Sequence, residues 1–284
     1  MDLNTYARRK QNILSRMLAA LLYVFQQFIR GYMSAREWND MMTVTYRVMK
    51  PYRDEGTQLA REFYDSNRAA QLPDKARHDI FTDDFYPERW YREAMLPVYQ
   101  KLQKGATPDV AVEEAVARVT KVYEDAQRRT LIQGITEDTG QVVRGFARFD
   151  PRPPTCAFCT MMISRGPVYI KSGEGSTAGW PFGTERLERL ILDDDPDAIN
   201  ELMNKWHPDC TCIVVPVYKY DNYPTQAQEK EAFKIYEEAV KRTKHLVRVG
   251  ESKNNTRLIL NEMRKIIYSP QKEQDETTLG RNVA

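Results

Sequence analysis

Apolar side chains recur at three- and four-residue intervals through almost the whole stretch from Thr5 to Gly134, the spacing that gathers them on one face of an α-helix. Leu14, Leu18, Leu21, Leu22, Phe25, Phe28 and Ile29 make one such stripe, on a helix that runs to about Gly31. Ser34, with Glu37 three residues later, has the form of a capping box, so a second helix starts there and presents Trp38, Met41, Met42, Thr45 and Val48. Pro51 is expected to end it, because proline lacks the helix donor and biases Lys50 before it away from helical angles. A further helix is expected over 54–70. Another follows Pro87, with Trp90, Met95, Val98 and Leu102 inward, a kink at Pro97 and a stop at Gly105. Pro108-Asp109 opens the next, whose expected stripe is Val110, Val112, Val116, Val119 and Val122, with Arg128, Arg129 and Gln133 near its end.

At Thr136 the pattern changes. Residues 136–225 hold short β-like runs (Val142–Phe149, Val168–Lys171, Cys212–Tyr218), a Gly- and Ser-rich loop over Ser172–Gly179, and all four cysteines. Leu187–Trp206 reads as helix, interrupted at Asp193-Asp194-Asp195-Pro196. That acidic run lacks the ligand spacing of a calcium loop and reads as a solvated helix cap. After Pro224 a polar helix extends to about Lys244 with Phe233, Tyr236 and Val240 on one face, and a last one covers about Thr256–Ile267. From Gln271 the chain is polar without a periodic face. The expected class is α+β, mainly α-helical. A helical docking region (1–135) precedes a small metal-stapled α/β domain (136–225) with short strands, and C-terminal helices with a polar tail follow (226–284).

Composition narrows the function. Over 284 residues the apolar fraction is 42% and the charged fraction 29%, enough to bury a core and too ordered a mixture for a disordered chain. A net charge of +2 argues against a protein that coats nucleic acid, although Arg8, Arg9, Lys10 and Arg16 form a local basic start. The longest apolar stretch, Met17–Phe25, is too short to span a bilayer and does not have the form of a signal peptide. Cysteines used in a reducing compartment point to metal or reactivity rather than disulfides.

Those cysteines fall into two short motifs. Cys156-Ala-Phe-Cys159 supplies two thiolates from one turn, and His207-Pro-Asp-Cys210-Thr-Cys212 stands just before an apolar strand. A structural zinc needs four thiolate or imidazole ligands in a tetrahedron. Five candidates compete for the four places: Cys156, Cys159, His207, Cys210 and Cys212. Cys156, Cys159, His207 and Cys210 are the favoured set. Cys212 shares a facing with Cys210 if the strand has begun there, and then replaces His207. The long stretch between the two motifs makes this zinc a staple of a larger unit rather than the core of a small finger. The candidates are enough to close the shell, and the other two histidines, His78 and His245, lie in helical regions elsewhere, so a catalytic metal is not expected. Gly166 is expected to take a left-handed turn, and Arg165 to brace the site.

The run Cys156-Ala-Phe-Cys159-Thr-Met-Met-Ile-Ser164-Arg165-Gly166-Pro-Val-Tyr169, followed by Trp206-His207-Pro208-Asp-Cys210-Thr-Cys212 and an apolar strand, resembles the MuF-type minor head proteins of tailed phages, in the branch found in phages of actinobacteria. The resemblance covers about 134–218. It implies a minor virion component, present in few copies in the capsid interior near the portal vertex and assembled in the host cytoplasm. Its partners would be the portal protein or the major capsid protein, with roles in head morphogenesis and DNA ejection. The helical N-terminal half would then dock on the partner, and its basic start would face packaged DNA. Two rivals remain: a metal-dependent hydrolase of the phage head (nuclease or capsid maturation protease), and a zinc-stabilised nucleic-acid-binding protein. The expectation is a protein without enzymatic activity.

Overall fold

The computed structural model describes residues 1–78, 85–138, 143, 145–152, 154–167, 210–219, 222–248 and 257–268, with the backbone alone at 136, 137 and 245–248. Helix α1 (Leu3–Phe28) starts at Asp2, whose carboxylate accepts from the Thr5 N–H. Helix α2 (Ala35–Gln71) starts at the expected capping box: the Glu37 N–H donates to Ser34 Oγ, and the Ser34 N–H donates to Glu37 Oε2. Helices α3 (Glu88–Gln103) and α4 (Pro108–Glu137) follow, separated by Gly105 in a left-handed conformation (φ 86°). The chain is mainly helical, as its periodicity predicts.

Pro51 does not end α2. The helix continues through it because a single buried face runs along both halves: Trp38, Met41, Met42, Thr45 and Met49 before the proline, Arg53, Thr57, Ala60, Phe63, Tyr64 and Asn67 after it. Burying that face outweighs the roughly 3 kcal/mol that an interior proline costs. The inner face of α4 also differs from the expected valine stripe. Ala111, Ala115, Val119, Val122, Tyr123 and Ala126 are buried, whereas Val110 is exposed. The close approach of α2 to α4 is made by a glycine of α2, Gly56, against Tyr123 and Gln127. A Cβ placed on Gly56 of α2 would stand 2.8 Å from Tyr123 Cε2. Gly56→Val should therefore destabilise the fold by about 1–3 kcal/mol despite its better chain entropy, measurable as a lower urea midpoint with unchanged slope.

Arg9–Glu62 and Arg16–Glu55 ion pairs set α1 antiparallel to α2. Lys101–Glu114 does the same for α3 and α4. Strand β1 (Gly145–Phe149) pairs antiparallel with β2 (Ile213–Val217), from Gly145 opposite Val217 to Phe149 opposite Ile213. Between them in sequence lies the short helix α5 (Ala157–Ile163), against which α6 (Gln226–Arg248) packs. Ala232, Ala239 and Thr243 are the buried positions among the described side chains of α6, and Phe233, expected on its inner face, is exposed. A last helix, α7 (257–268), contributes Met263 to a small cluster with Ala157, Met161, Met162 and Ala239.

One hydrophobic core crosses the expected domain boundary at residue 135. It joins α1 to α4 with Phe146, Cys159, Ile163, Cys210, Cys212 and Ile213 to Val215. Polar contacts cross it too. Asn67 Nδ2 donates to the Pro216 carbonyl, and Arg68 donates through Nε (2.8 Å) and Nη2 (3.2 Å) to Asp138. Tyr64 Oη also donates to Asp138 Oδ2. The expected strand at Val168–Lys171, the loop at Ser172–Gly179, the helix at Leu187–Trp206 with its acidic run, and the tail from Gln271 lie outside the described residues. Among the described residues, no helix is long and apolar enough to cross a membrane.

Candidate metal centre

The first cysteine pair sits at a helix start rather than in a free turn. Cys156 is the N-cap of α5, with extended angles, and its Sγ accepts from the Cys159 N–H at 3.4 Å. A thiolate at this position is stabilised by the backbone N–H groups and by the helix dipole. α5 ends at Ser164 and turns at Gly166, left-handed as expected (φ 65°). Arg165 is exposed and does not brace the thiols.

The second pair is delivered by the approach to β2. Cys210 and Cys212 immediately precede Ile213, the first residue of β2, which pairs with Phe149. Both turn toward Cys159. The sulfurs of Cys159, Cys210 and Cys212 lie within 4.8 Å of one another, and Cys159 Sγ is 3.5 Å from Cys210 Sγ. The edge of a zinc–thiolate tetrahedron with Zn–S near 2.3 Å is about 3.8 Å, so this spacing fits. The Cys156 thiol hydrogen-bonds with Cys159 but is not one of the three mutually close sulfurs. Cys159, Cys210 and Cys212 are buried to 2%, 3% and 1% exposure, and Cys156 is half-buried. His207 lies outside the described residues.

The thiols interact strongly as they stand. Hydrogen bonds from Cys159 and Cys212, helped by the nearby Arg128, hold Cys210 well below the usual thiol value. Hydrogen bonding with Cys156, then with Cys210 and Cys212, pushes Cys159 up. A cluster that shares one negative charge among several protons is suited to exchange those protons for a divalent ion. Thiolates select borderline-soft zinc over calcium or magnesium.

Thr211, between the two thiols, faces away from them. Its Oγ1 donates to Asp150 Oδ1 at 3.2 Å and accepts from Arg152 Nε at 3.1 Å. Asp150 is tied in turn to α6: Gln228 Nε2 donates to the Asp150 carbonyl, and the Asp150 N–H donates to Gln228 Oε1. The backbone of the same segment is held from the helical body. Lys10 of α1 donates to the Thr211 carbonyl at 3.2 Å, and Arg128 of α4 donates to the Cys212 carbonyl at 3.3 Å and to the Cys210 carbonyl.

The basic start of α1 is thus largely neutralised. Arg9 pairs with Glu62 and Arg16 with Glu55. Lys10 is buried and lies 2.6 Å from Glu124, a charge contact rather than an aligned hydrogen bond. Of the four cations expected to face DNA, Arg8 is exposed, while the other three are matched to carboxylates within the fold.

Lys10, Glu124, Arg128, Arg148 and Asp150 did not stand out in the sequence as site residues. The first three carried a signal all the same. Lys10 falls four residues after Tyr6 and three and four before Ile13 and Leu14, on the buried face of α1, and Glu124 and Arg128 fall four apart on the buried face of α4. A charge on an apolar stripe needs a buried partner.

A mainly helical protein whose core closes over a cysteine cluster able to hold a metal is the class that the fold and site define. The chain belongs to the VG15 protein family, whose model matches residues 1–239. It is similar to the Gene 15 protein of Mycobacterium phage D29, 30% identical over 250 residues, which cover 85% of this chain and 90% of that one. It is also similar to the Gene 15 protein of Mycobacterium phage L5, 27% identical over 257 residues, 84% of this chain and 85% of that one. This is a phage protein family. No solved structure matches the chain significantly.

Proposed function

We propose that this protein is a minor structural component of the phage head of the MuF type, non-enzymatic, that binds the portal or capsid interior and carries a structural zinc held by Cys156, Cys159, Cys210 and Cys212. The burial of the thiols carries the reading. A catalytic zinc keeps an open position for water and substrate, whereas three of these sulfurs are sealed in the core that joins α1 to α4 with the strand pair. Cys159, Cys210 and Cys212 supply three clustered sulfurs, and Cys156, at the start of the same helix as Cys159, is the fourth ligand of this reading in place of His207. Zinc supplies cross-linking here: it fastens the start of α5 to the start of β2. The pairing of Arg9, Lys10 and Arg16 within the fold leaves the DNA-contact role with little support, so the partner surface is a protein one.

Membership of a phage protein family supports the virion setting. The test is quantitative mass spectrometry of gradient-purified virions, with cross-linking. The expected result is a few copies per particle, cross-linked to portal or major capsid protein. Absence of the chain from both virions and portal-containing precursor heads would sink the assignment.

A further inference from the structure

A tetrathiolate zinc carries a formal charge of −2, and burying it needs nearby positive charge. The helical body brings a set of charges to the second cysteine segment. Arg128, fully buried, reaches the carbonyls of Cys210 and Cys212, and Lys10 reaches that of Thr211. Glu124 lies 2.6 Å from Lys10 and 3.5 Å from Arg128. Asp125 lies 2.9 Å from Arg128 and also pairs with Lys121. Arg148 of β1 is also buried; burial works against its charge, and Cys212, Cys210 and Cys159 favour it. With Arg152 and Asp150, which bond Thr211 from the strand side, the cations Lys10, Lys121, Arg128, Arg148 and Arg152 outnumber the carboxylates Glu124, Asp125 and Asp150 by two, the charge that the zinc–thiolate group would carry with opposite sign.

We infer that Arg128, with Lys10 and Arg148, is the counter-charge of the metal centre, so that zinc affinity is set from α1 and α4 and not by the four ligands alone. The inference rests on the zinc reading above. Arg128 is a positioning residue: it holds the Cys210 and Cys212 carbonyls and acts on the metal through the dipoles it orients and the potential it creates. Burial works against its charge, and Glu124, Cys210 and Asp125 more than offset that, so the guanidinium stays ionised. Removing Arg128 leaves the dianion with less compensation. Removing the negative charge of Asp125 does the reverse, since it frees Arg128 to act on the thiolates. A role in shape alone predicts the same sign for both changes, whereas charge balance predicts opposite signs.

The experiment compares full-length protein, Arg128→Met and Asp125→Asn by zinc competition against a chromophoric chelator, with far-ultraviolet circular dichroism to follow the helices. Arg128→Met should hold zinc about 10- to 100-fold more weakly, the range for loss of an outer-shell partner. Asp125→Asn should hold it about 3- to 10-fold more tightly. Weakening in both variants, or no change in either, overturns the inference while leaving the zinc site intact. If Arg128→Met does not fold, Asp125→Asn decides alone: tighter binding supports the counter-charge and weaker or unchanged binding overturns it. Unsubstituted protein that takes up no zinc overturns the metal reading itself, and the counter-charge falls with it.

Discussion

Replacing Cys159 and Cys210 together with serine should cost more than about 4 kcal/mol of stability, the range reserved for loss of a metal or a core feature. Both sulfurs are buried, so each serine would also leave a hydroxyl without water. The damage should not stay within the segment that carries the cysteines. β2 packs on α4, and the same core takes in α1 and α2. Amide exchange should therefore quicken in β1 and β2, and also in α4 near Arg128 and in α1 near Lys10. Zinc removal by chelation should reproduce the pattern. Exchange confined to residues 143–219, with α1 and α4 fully protected, would mean that the helices do not depend on the centre.

Asp138→Ala should be nearly as severe, at about 3–5 kcal/mol, although it lies away from the thiols. Its carboxylate accepts two bonds from Arg68 and one from Tyr64, and all three side chains are buried. Removing it strands a buried guanidinium. Arg68 keeps only its bond to the Ala76 carbonyl among the contacts described here. Asp138→Asn keeps the shape and a carbonyl acceptor, and should recover part of the loss. Equal denaturation midpoints for wild type and Asp138→Ala would show that the pair contributes nothing net.

The helical body was largely legible because its signals are local. The capping box at Ser34, the stop at Gly105, the Pro108 start and the face of Trp90, Met95, Val98 and Leu102 all appear in the structure as the pattern predicts. Errors came where tertiary burial overrode a local rule. Pro51 sits inside α2 because the buried face is continuous through it. α4 buries Ala111, Ala115 and Ala126 beside Val119 and Val122, while Val110 is exposed. The thiol cluster was legible from the spacing of its motifs. The cations behind it were not, because a lysine at position 10 finds its partners only at 124 and 211. No window along the chain holds those three residues together.

That separation bears on the order in which the protein is made. Lys10 and the Thr211 carbonyl are 201 residues apart. At about 5–20 residues per second, the ribosome needs roughly 10–40 s to reach the second after making the first. During that interval α1 can pair with α2, but its buried lysine lacks both partners until Glu124 is made, and lacks the Thr211 carbonyl until the cysteine segment follows. The cysteine segment is the last part of the site to be synthesised, and it closes under helices already formed. On the zinc reading, metal capture would follow the synthesis of this segment, so zinc supply at that late moment, rather than during early synthesis, would matter for completing the fold.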